Sequence, residues 1–236
     1  EKGVRRLLSF VKPGVWEYEI EAELMHEFLR NRSKGFAYTP IIASGENANV
    51  LHYIANNMQC KDGDVILLDV GAEYANYSSD LTRMIPVNGK FTARQKEIYN
   101  AVLDMKNFAT SLLVPGNNWY DYHKECGEFY TSKFLELGLL DKADVQNQDK
   151  NWPAYKKYMM HGTSHHLGLD THDYGILKDK FVENMVFTVE PGIYLPAEGF
   201  GVRIEDDLVI QNSGPAFNLM KNIPIEVEEI EELMNS

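Results

Sequence analysis

Apolar residues recur at helical spacing along the first part of the chain, which predicts two helices. Residues 1–11 have helical spacing, and Pro13-Gly14 would end that helix because proline lacks an amide donor. A second helix is predicted from Glu17 to about Asn31. Its apolar residues recur at helical spacing, at Ile20, Leu24, Phe28 and Leu29.

The chain then changes from helical patterning to apolar runs that are typical of strands. Residues 65–70 form an apolar run that only Asp69 interrupts, bounded by Gly63 and Gly71, which predicts a buried strand. Residues 77–87 are predicted as its partner strand. A long helix is predicted over residues 92–113, with Thr92 as its N-cap and Gln95 three residues on as the other half of a capping box.

The same order of elements recurs in the second part of the chain. The stretches "SFVKPGVWEYEIEAELMHEFLRNRSKG" and "LLVPGNNWYDYHKECGEFYTSKFLELG" both contain a helix end, Pro-Gly and aromatic residues that open a second helix. Strand-like runs follow the second copy at residues 185–189, 192–195 and 201–210. We therefore predict an internal duplication whose halves meet at a pseudo-twofold axis, where a shared cleft would form.

Composition narrows the classes of function. The 236 residues carry a net charge of −12, which argues against electrostatic binding to nucleic acid or anionic lipid, and no apolar run has membrane-spanning length. Cys60 and Cys126 are too few for a disulfide framework or a thiolate zinc site, and they favour a cytoplasmic setting. The acidic residues 226–234 predict a surface helix. Since the chain starts at Glu1 inside a helical pattern, we expect a piece of a longer protein.

Four of the seven histidines lie in one short segment, "HGTSHHLGLDTHD", at residues 161–173. His161 and His165 have the spacing of the helical zinc-protease motif, but that motif needs a glutamate directly after the first histidine. Here Gly162 follows, and Gly-Thr-Ser is a poor helix former. The segment is therefore predicted to be a loop that presents its imidazoles at different angles.

Carboxylates stand within or directly after several apolar runs. These are Asp69, Asp80, Glu190 and Glu205. Taken singly, each has an ordinary interpretation, such as a strand end or a turn cap. A buried carboxylate is costly unless it is paired, so the set as a whole indicates convergence on cations.

Carboxylates with histidine suit Mn²⁺, Co²⁺, Fe²⁺ or Zn²⁺, and so many carboxylates favour two metals about 3.5–4 Å apart with hydrolytic chemistry. Other chemistries have little support in the sequence, which lacks a Walker motif, a dinucleotide fingerprint and a Gly-x-Ser-x-Gly elbow.

Four motifs in order resemble the creatinase/aminopeptidase family over essentially the whole chain. They are "LLDVGAEYANYSSDLTRMIPVNGKFT", "HGTSHHLGLDTHD", "TVEPGIYLP" and "GVRIEDDLVI". The resemblance implies an α/β (α+β) pita-bread fold, with a pseudo-twofold repeat and a curved, mostly antiparallel sheet carrying helices on its outer face. It also implies that residues 1–236 are the catalytic domain, without the N-terminal domain that usually precedes it.

The resemblance also assigns metal ligands. It implies that Asp69 chelates one metal ion, that Asp80 and Glu205 bridge both, and that His165 and Glu190 complete the second. The expected cofactor is a pair of divalent ions, with Mn²⁺ favoured and Co²⁺, Fe²⁺ or Zn²⁺ as alternatives. A hydroxide bridging the metals would attack the substrate, and Glu190 would shuttle the proton.

Further residues receive roles by the same resemblance. His161 and His172 would contact the scissile carbonyl and the region around a substrate proline, and His52 would handle protons nearby. Arg203 would orient its neighbours, and Tyr194 would line the cleft, although packing roles are equally expected for both. His166 has no implied role and is predicted to be a packing or surface histidine.

Within the family, "HGTSH" is most similar to the aminopeptidase P branch, which implies cleavage of the N-terminal Xaa-Pro bond of proline-containing peptides. The family also implies a homo-oligomer for the full-length protein. One alternative is prolidase activity on Xaa-Pro dipeptides. Another is a non-catalytic binding module on the same fold, although such modules usually have damaged ligand sets.

Overall fold

Helices and strands occur in the order that the residue pattern predicts, and the computed structural model describes all of residues 1–236. The helices are α1 (Lys2–Phe10), α2 (Glu17–Arg30), α3 (Ala93–Ser111), α4 (Trp119–Glu136), α5 (Lys142–Gln146) and α6 (Val227–Met234). The strands are β1 (Gly35–Phe36), β2 (Ile41–Ser44), β3 (Val65–Asp69), β4 (Ala72–Tyr74), β5 (Tyr77–Ser78), β6 (Thr82–Pro86), β7 (Val186–Val189), β8 (Gly192–Leu195), β9 (Phe200–Arg203), β10 (Asp206–Val209) and β11 (Phe217–Asn218).

Every strand pairing is antiparallel. Strand β3 lies between β2 and β6, and β10 lies between β7 and β11, while β8 pairs with β9. Helix α2 packs on β2, and α3 packs on β7, β8 and β9. One continuous core of 48 buried residues joins the two parts of the chain. None of the helices combines the length and apolarity that crossing a membrane requires.

The helical predictions are confirmed for α1, α2 and α3, including the cap of α3. The Gln95 amide donates to the Thr92 hydroxyl at 3.2 Å, and the Thr92 amide donates to the Gln95 side chain at 2.8 Å. Leu29 is an exception on α2, since it is 54% exposed instead of packing with Ile20 and Leu24 in the core. The acidic surface helix is confirmed as α6, which buries Val227 and Ile230.

Two predicted strands are wrong in length, because each breaks at a carboxylate. Residues 77–87 divide into β5 and β6 around Asp80, and residues 201–210 divide into β9 and β10 around Glu205. At the first break, the Asp80 amide donates to the Asp207 carboxylate at 3.1 Å instead of to a strand partner. Both carboxylates are buried at these breaks.

The backbone of the two Pro-Gly turns has the same geometry, which supports the predicted internal repeat. Gly14 has φ +96° and Gly116 has φ +91°, a region that glycine adopts without strain. The Gly14 amide donates to the Cys60 carbonyl and the Gly116 amide to the Phe181 carbonyl, both at 2.9 Å. Cys60 and Phe181 each donate in return to the residue after the glycine, at 2.8 Å.

A buried ion network joins the two parts of the chain. The Arg83 guanidinium of β6 lies 2.6 Å from the Asp206 carboxylate of β10, and the Lys106 ammonium of α3 contacts the same carboxylate. Arg83 also donates to the Glu205 carbonyl at 2.7 Å. Burial alone would raise the pKa of Asp206, but Arg83 and Lys106 together hold that pKa below its ordinary value.

Replacing Asp206→Asn would leave two buried cations unpaired, so we expect a loss of about 3–5 kcal/mol in the free energy of unfolding, measured by urea titration. A lowered folded-state pKa contributes stability above the unfolded-state pKa and loses it as the pH falls. The difference between the two proteins should therefore shrink below about pH 4.

The matched control is Glu198→Gln, which removes the partly exposed ion pair with Arg94. It should cost at most about 1 kcal/mol. Equal losses in both variants would contradict a structural role for the buried network.

Candidate active site

The four carboxylates that interrupt or end apolar runs converge on one cavity. Asp69 ends β3, Asp80 lies between β5 and β6, Glu190 follows β7, and Glu205 lies between β9 and β10. All four line a cavity of about 660 Å³. The antiparallel pairing thus brings together side chains that are up to 136 residues apart in the chain.

In the first part of the chain, a close backbone approach places Asp69 beside Asp80. Asp69 is paired with Thr82 across β3 and β6, and the chain between them folds back tightly. A Cβ added at Gly71 would lie 1.7 Å from the Ser79 carbonyl oxygen. Only glycine is compatible with this approach, so Gly71 is required for the two aspartates to share one site.

Hydrogen bonds attach the second pair of carboxylates to this site. The Glu205 amide donates to the Thr82 carbonyl at 3.1 Å, and the Thr82 hydroxyl donates to the Glu205 carboxylate at 2.7 Å. The Glu190 amide donates to the Thr163 carbonyl at 2.8 Å, which places Glu190 beside the "HGTSH" segment.

His165 is oriented so that one ring nitrogen faces the carboxylates. Its Nδ1–H donates to the His166 carbonyl at 2.9 Å, and its Nε2 lies 3.4 Å from Asp80 Oδ2 and 3.6 Å from Glu190 Oε1. One ligand atom from each of Asp80, His165 and Glu205 lies within 4.8 Å of the others. This clustering, with the second nitrogen anchored on a carbonyl, is typical of a metal-binding histidine.

The carboxylates repel one another in a desolvated site. Burial raises the pKa of Glu190 to about 7. The charges of Asp80 and Asp69 add to this rise, whereas His165 and Arg203 oppose it. Burial also raises the pKa of Asp69 and of Glu205 above the ordinary range.

Oxygen and imidazole donors without a thiolate, at a site short of positive charge, fit divalent metal ions. The residues present therefore match the metals that the resemblance implies.

The remaining histidines differ in how freely their ring nitrogens face the cavity. His52 and His172 line it and have no hydrogen-bond partner in the protein, and the His172 ring lies 4.5 Å from that of His165. His161 also lines the cavity, but its Nδ1–H donates to the Gly162 carbonyl at 2.7 Å. His166 stacks on the Trp119 ring at 5.9 Å, which confirms the prediction of a packing role.

A chain of hydrogen bonds runs behind the cavity from Asp69 to His161. Arg203 donates to Asp69 Oδ2 at 2.5 Å and to the Tyr194 hydroxyl at 2.8 Å, and that hydroxyl lies 2.7 Å from His161 Nε2.

Tyr194 is fully buried, so the expectation that it lines the cleft is wrong. Burial and the Arg203 charge lower the pKa of His161 to about 3, which keeps its imidazole neutral.

Tyr38 belongs to the site but was not identified from the sequence. Its hydroxyl lies 2.5 Å from Asp69 Oδ1 and 2.5 Å from Asp80 Oδ1. Burial, followed by the charges of both aspartates, raises its pKa. Its only sequence signal is a polar aromatic residue just before an apolar run. The other cavity-lining residues that were not predicted are Thr39, Ile41, Leu51, Ile54, Gly162, Ser164 and Thr171.

Because the Tyr38 hydroxyl contacts two carboxylates of the candidate metal site, Tyr38→Phe should weaken divalent metal binding by about 10–100-fold. Competition with a chelator measures this affinity. Tyr18→Phe, on the exposed side of α2, is the control and should leave it unchanged. Equal affinities in all three proteins would show that the contact has no role in metal binding.

Comparison with known proteins agrees with this geometry. The sequence profile of metallopeptidase family M24 matches residues 1–212. The Xaa-Pro aminopeptidase of Haemophilus influenzae is 42% identical over 98% of this chain and 56% of its own length. The Xaa-Pro aminopeptidase of Escherichia coli is 40% identical over 97% of this chain and 54% of its own length.

A solved structure of zinc-substituted Escherichia coli aminopeptidase P in complex with product superposes with a TM-score of 0.90. It is 38% identical and covers 99% of this chain and 55% of that protein. The chain thus spans about half the length of the relatives it matches, and the match in structure confirms the pita-bread fold. The chain belongs to metallopeptidase family M24.

Proposed function

We propose that residues 1–236 form the catalytic domain of a metal-dependent Xaa-Pro aminopeptidase, which hydrolyses the first peptide bond of peptides with proline second. The observation that supports this proposal is that four carboxylates and four histidines line one cavity. Similarity to Xaa-Pro aminopeptidases supports the choice of substrate class.

Five side chains would hold the metal ions. Asp69 would bind one ion, Asp80 and Glu205 both, and His165 and Glu190 the second. When bound, divalent ions polarise a carbonyl group and make water more acidic. The proposed cofactor is a pair of Mn²⁺ ions. Co²⁺, Fe²⁺ and Zn²⁺ are alternatives, because oxygen and imidazole ligands do not by themselves select among these metals.

The protein side chains would move the proton and hold the substrate. Glu190 lies 3.7 Å from His161 Nδ1 and can take a proton from attacking water and deliver it to the leaving nitrogen. His52 and His172 have free ring nitrogens to donate to the substrate. His161 would contact it by turning its Nδ1–H away from the Gly162 carbonyl.

The apolar side of the cavity supports a substrate proline. Ile41, Leu51 and Ile54 line it, and a proline ring needs apolar contact but offers no amide hydrogen. Arg203 and Tyr194 would keep Asp69 and His161 in place from behind, through the hydrogen bonds described above.

A peptide panel tests the proposal directly. The protein is stripped of metal with a chelator, reloaded with each ion, and assayed on Xaa-Pro-Xaa, Xaa-Ala-Xaa and Xaa-Pro peptides. Cleavage of Xaa-Pro-Xaa alone is expected. Cleavage restricted to Xaa-Pro dipeptides would establish prolidase activity instead. No cleavage and no metal uptake would indicate a binding module.

Asp80→Ala removes a proposed bridging ligand, so metal affinity and peptidase activity should both fall by more than about 100-fold. Metal content by elemental analysis and hydrolysis of Xaa-Pro-Xaa are measured together. Glu228→Gln, on the exposed face of α6, is the control and should change neither. Full activity in Asp80→Ala would overturn the assignment.

We further propose a cytoplasmic setting and a homo-oligomer of a longer chain. Cys60 and Cys126 are buried and unpaired, and burial raises their pKa values to about 11 and about 12. Such inert thiols are typical of reducing compartments. The net charge of −12 supports peptide substrates over nucleic acid or anionic membranes.

A further inference from the structure

We infer that Glu17 is a positioning residue that holds the His52 segment, residues 44–58, against the active-site cavity. This inference rests on the proposed function, because it concerns the histidine that would contact the substrate. Glu17 is the first residue of α2 and is completely buried. It touches none of the proposed metal ligands.

The Glu17 carboxylate binds both ends of the His52 segment. The Ser44 amide donates to Oε1 at 2.8 Å, and the Met58 amide donates to Oε2 at 2.9 Å. The Glu17 amide in turn donates to the Met58 carbonyl at 3.0 Å. One residue therefore closes the segment into a loop.

The same carboxylate also binds two side chains within the segment. The side-chain amide of Asn47 donates to Oε1 at 3.2 Å, and the Tyr53 hydroxyl donates to Oε2 at 2.7 Å. Four donors thus face the two oxygens of Glu17. An ionised carboxylate accepts through both oxygens, whereas a side-chain amide accepts only through one. Loss of this match would leave buried donors without partners, which is costly.

His52 depends on this loop for its position. Its side chain is exposed to the cavity and makes no hydrogen bond of its own, so the backbone alone places the ring. Leu51 and Ile54, on either side, line the same cavity. A shift of the loop would therefore move the imidazole and part of the apolar wall together.

Helix α2 holds the segment at a second point, one helical turn further on. The Asn56 side chain donates to the Glu21 carboxylate at 2.9 Å and accepts from the Ile42 amide at 3.0 Å. Asn56 has φ +45°, so this contact keeps the backbone in a left-handed conformation. Helix α2 therefore holds the segment at two separate points.

The second repeat uses the corresponding helix position for a similar purpose. Trp119 is the first residue of α4, as Glu17 is of α2. Its ring packs on His123 and His166 at 4.6 Å and 5.9 Å, beside the segment that carries His165. In each half, the residue that opens the second helix supports a histidine-bearing segment.

Glu17→Gln tests the inference. Glutamine keeps one acceptor oxygen but replaces the other with an NH2 group, which cannot accept from the donors on that side. We expect kcat/KM for Xaa-Pro-Xaa to fall about 10–100-fold, since small displacements of a substrate-contacting group have effects of this size. Metal affinity should stay within about twofold, because no metal ligand is touched. Glu23→Gln, on the same helix and paired with Arg6, is the control and should change neither.

A double-mutant cycle separates positioning from general destabilisation. In a His52→Ala background, Glu17→Gln should lower kcat/KM several-fold less than in the wild-type background, because the imidazole that it positions is gone and only the displacement of Leu51 and Ile54 remains. A purely structural role would lower kcat/KM equally in both backgrounds. Equal losses, or no loss in either background, would overturn the inference.

Two further measurements keep the test decisive. If Glu17→Gln does not fold, Tyr53→Phe removes one of the four donors and enters the same cycle with the same two opposing outcomes. Hydrogen exchange in residues 44–58 should be faster in Glu17→Gln than in Glu23→Gln, and equal rates would contradict positioning. If the wild-type protein cleaves no peptide, the proposed function fails, whereas the exchange result still decides the contact of Glu17.

Discussion

The buried carboxylate of Asp206 is the interaction on which the rest of the structure depends. Arg83 and Lys106 pair with it from two other elements, and a desolvated charge of this kind is stable only while its partners stay in place. Arg83 lies three residues after Asp80, and Asp206 directly follows Glu205. The network that joins the halves therefore also sets the distance between two proposed bridging ligands.

The carboxylates of the active site oppose folding, because they are buried close together and repel one another. Burial and mutual repulsion raise the pKa values of Asp69, Glu190 and Glu205. Arg203 offsets part of this charge by its contact with Asp69, and Tyr38 donates to the same aspartate. The scaffold supplies the remaining constraint from outside, so the ligands are held near one another before any cation binds.

The two repeats share a backbone plan but contribute different chemistry. Their Pro-Gly turns have matching φ angles and matching hydrogen bonds. The first repeat supplies two aspartates and His52, and the second supplies His165 and two glutamates. The helix-opening residues differ accordingly, since Glu17 binds its segment through hydrogen bonds and Trp119 packs on its segment with a ring. A symmetric scaffold thus surrounds an asymmetric reaction centre.

The sequence alone determined the features that depend on neighbours in the chain. Helix periodicity, the Thr92 cap, the buried run of β3 and the motifs that carry the family resemblance are all local. The tertiary structure decided the strand breaks at Asp80 and Glu205, the exposure of Leu29, the burial of Tyr194 and the contact of Tyr38 with two aspartates. It also decided the role of Glu17, whose amide donors lie 27 and 41 residues away. Such contacts leave no periodic signal, because they depend on which distant elements meet.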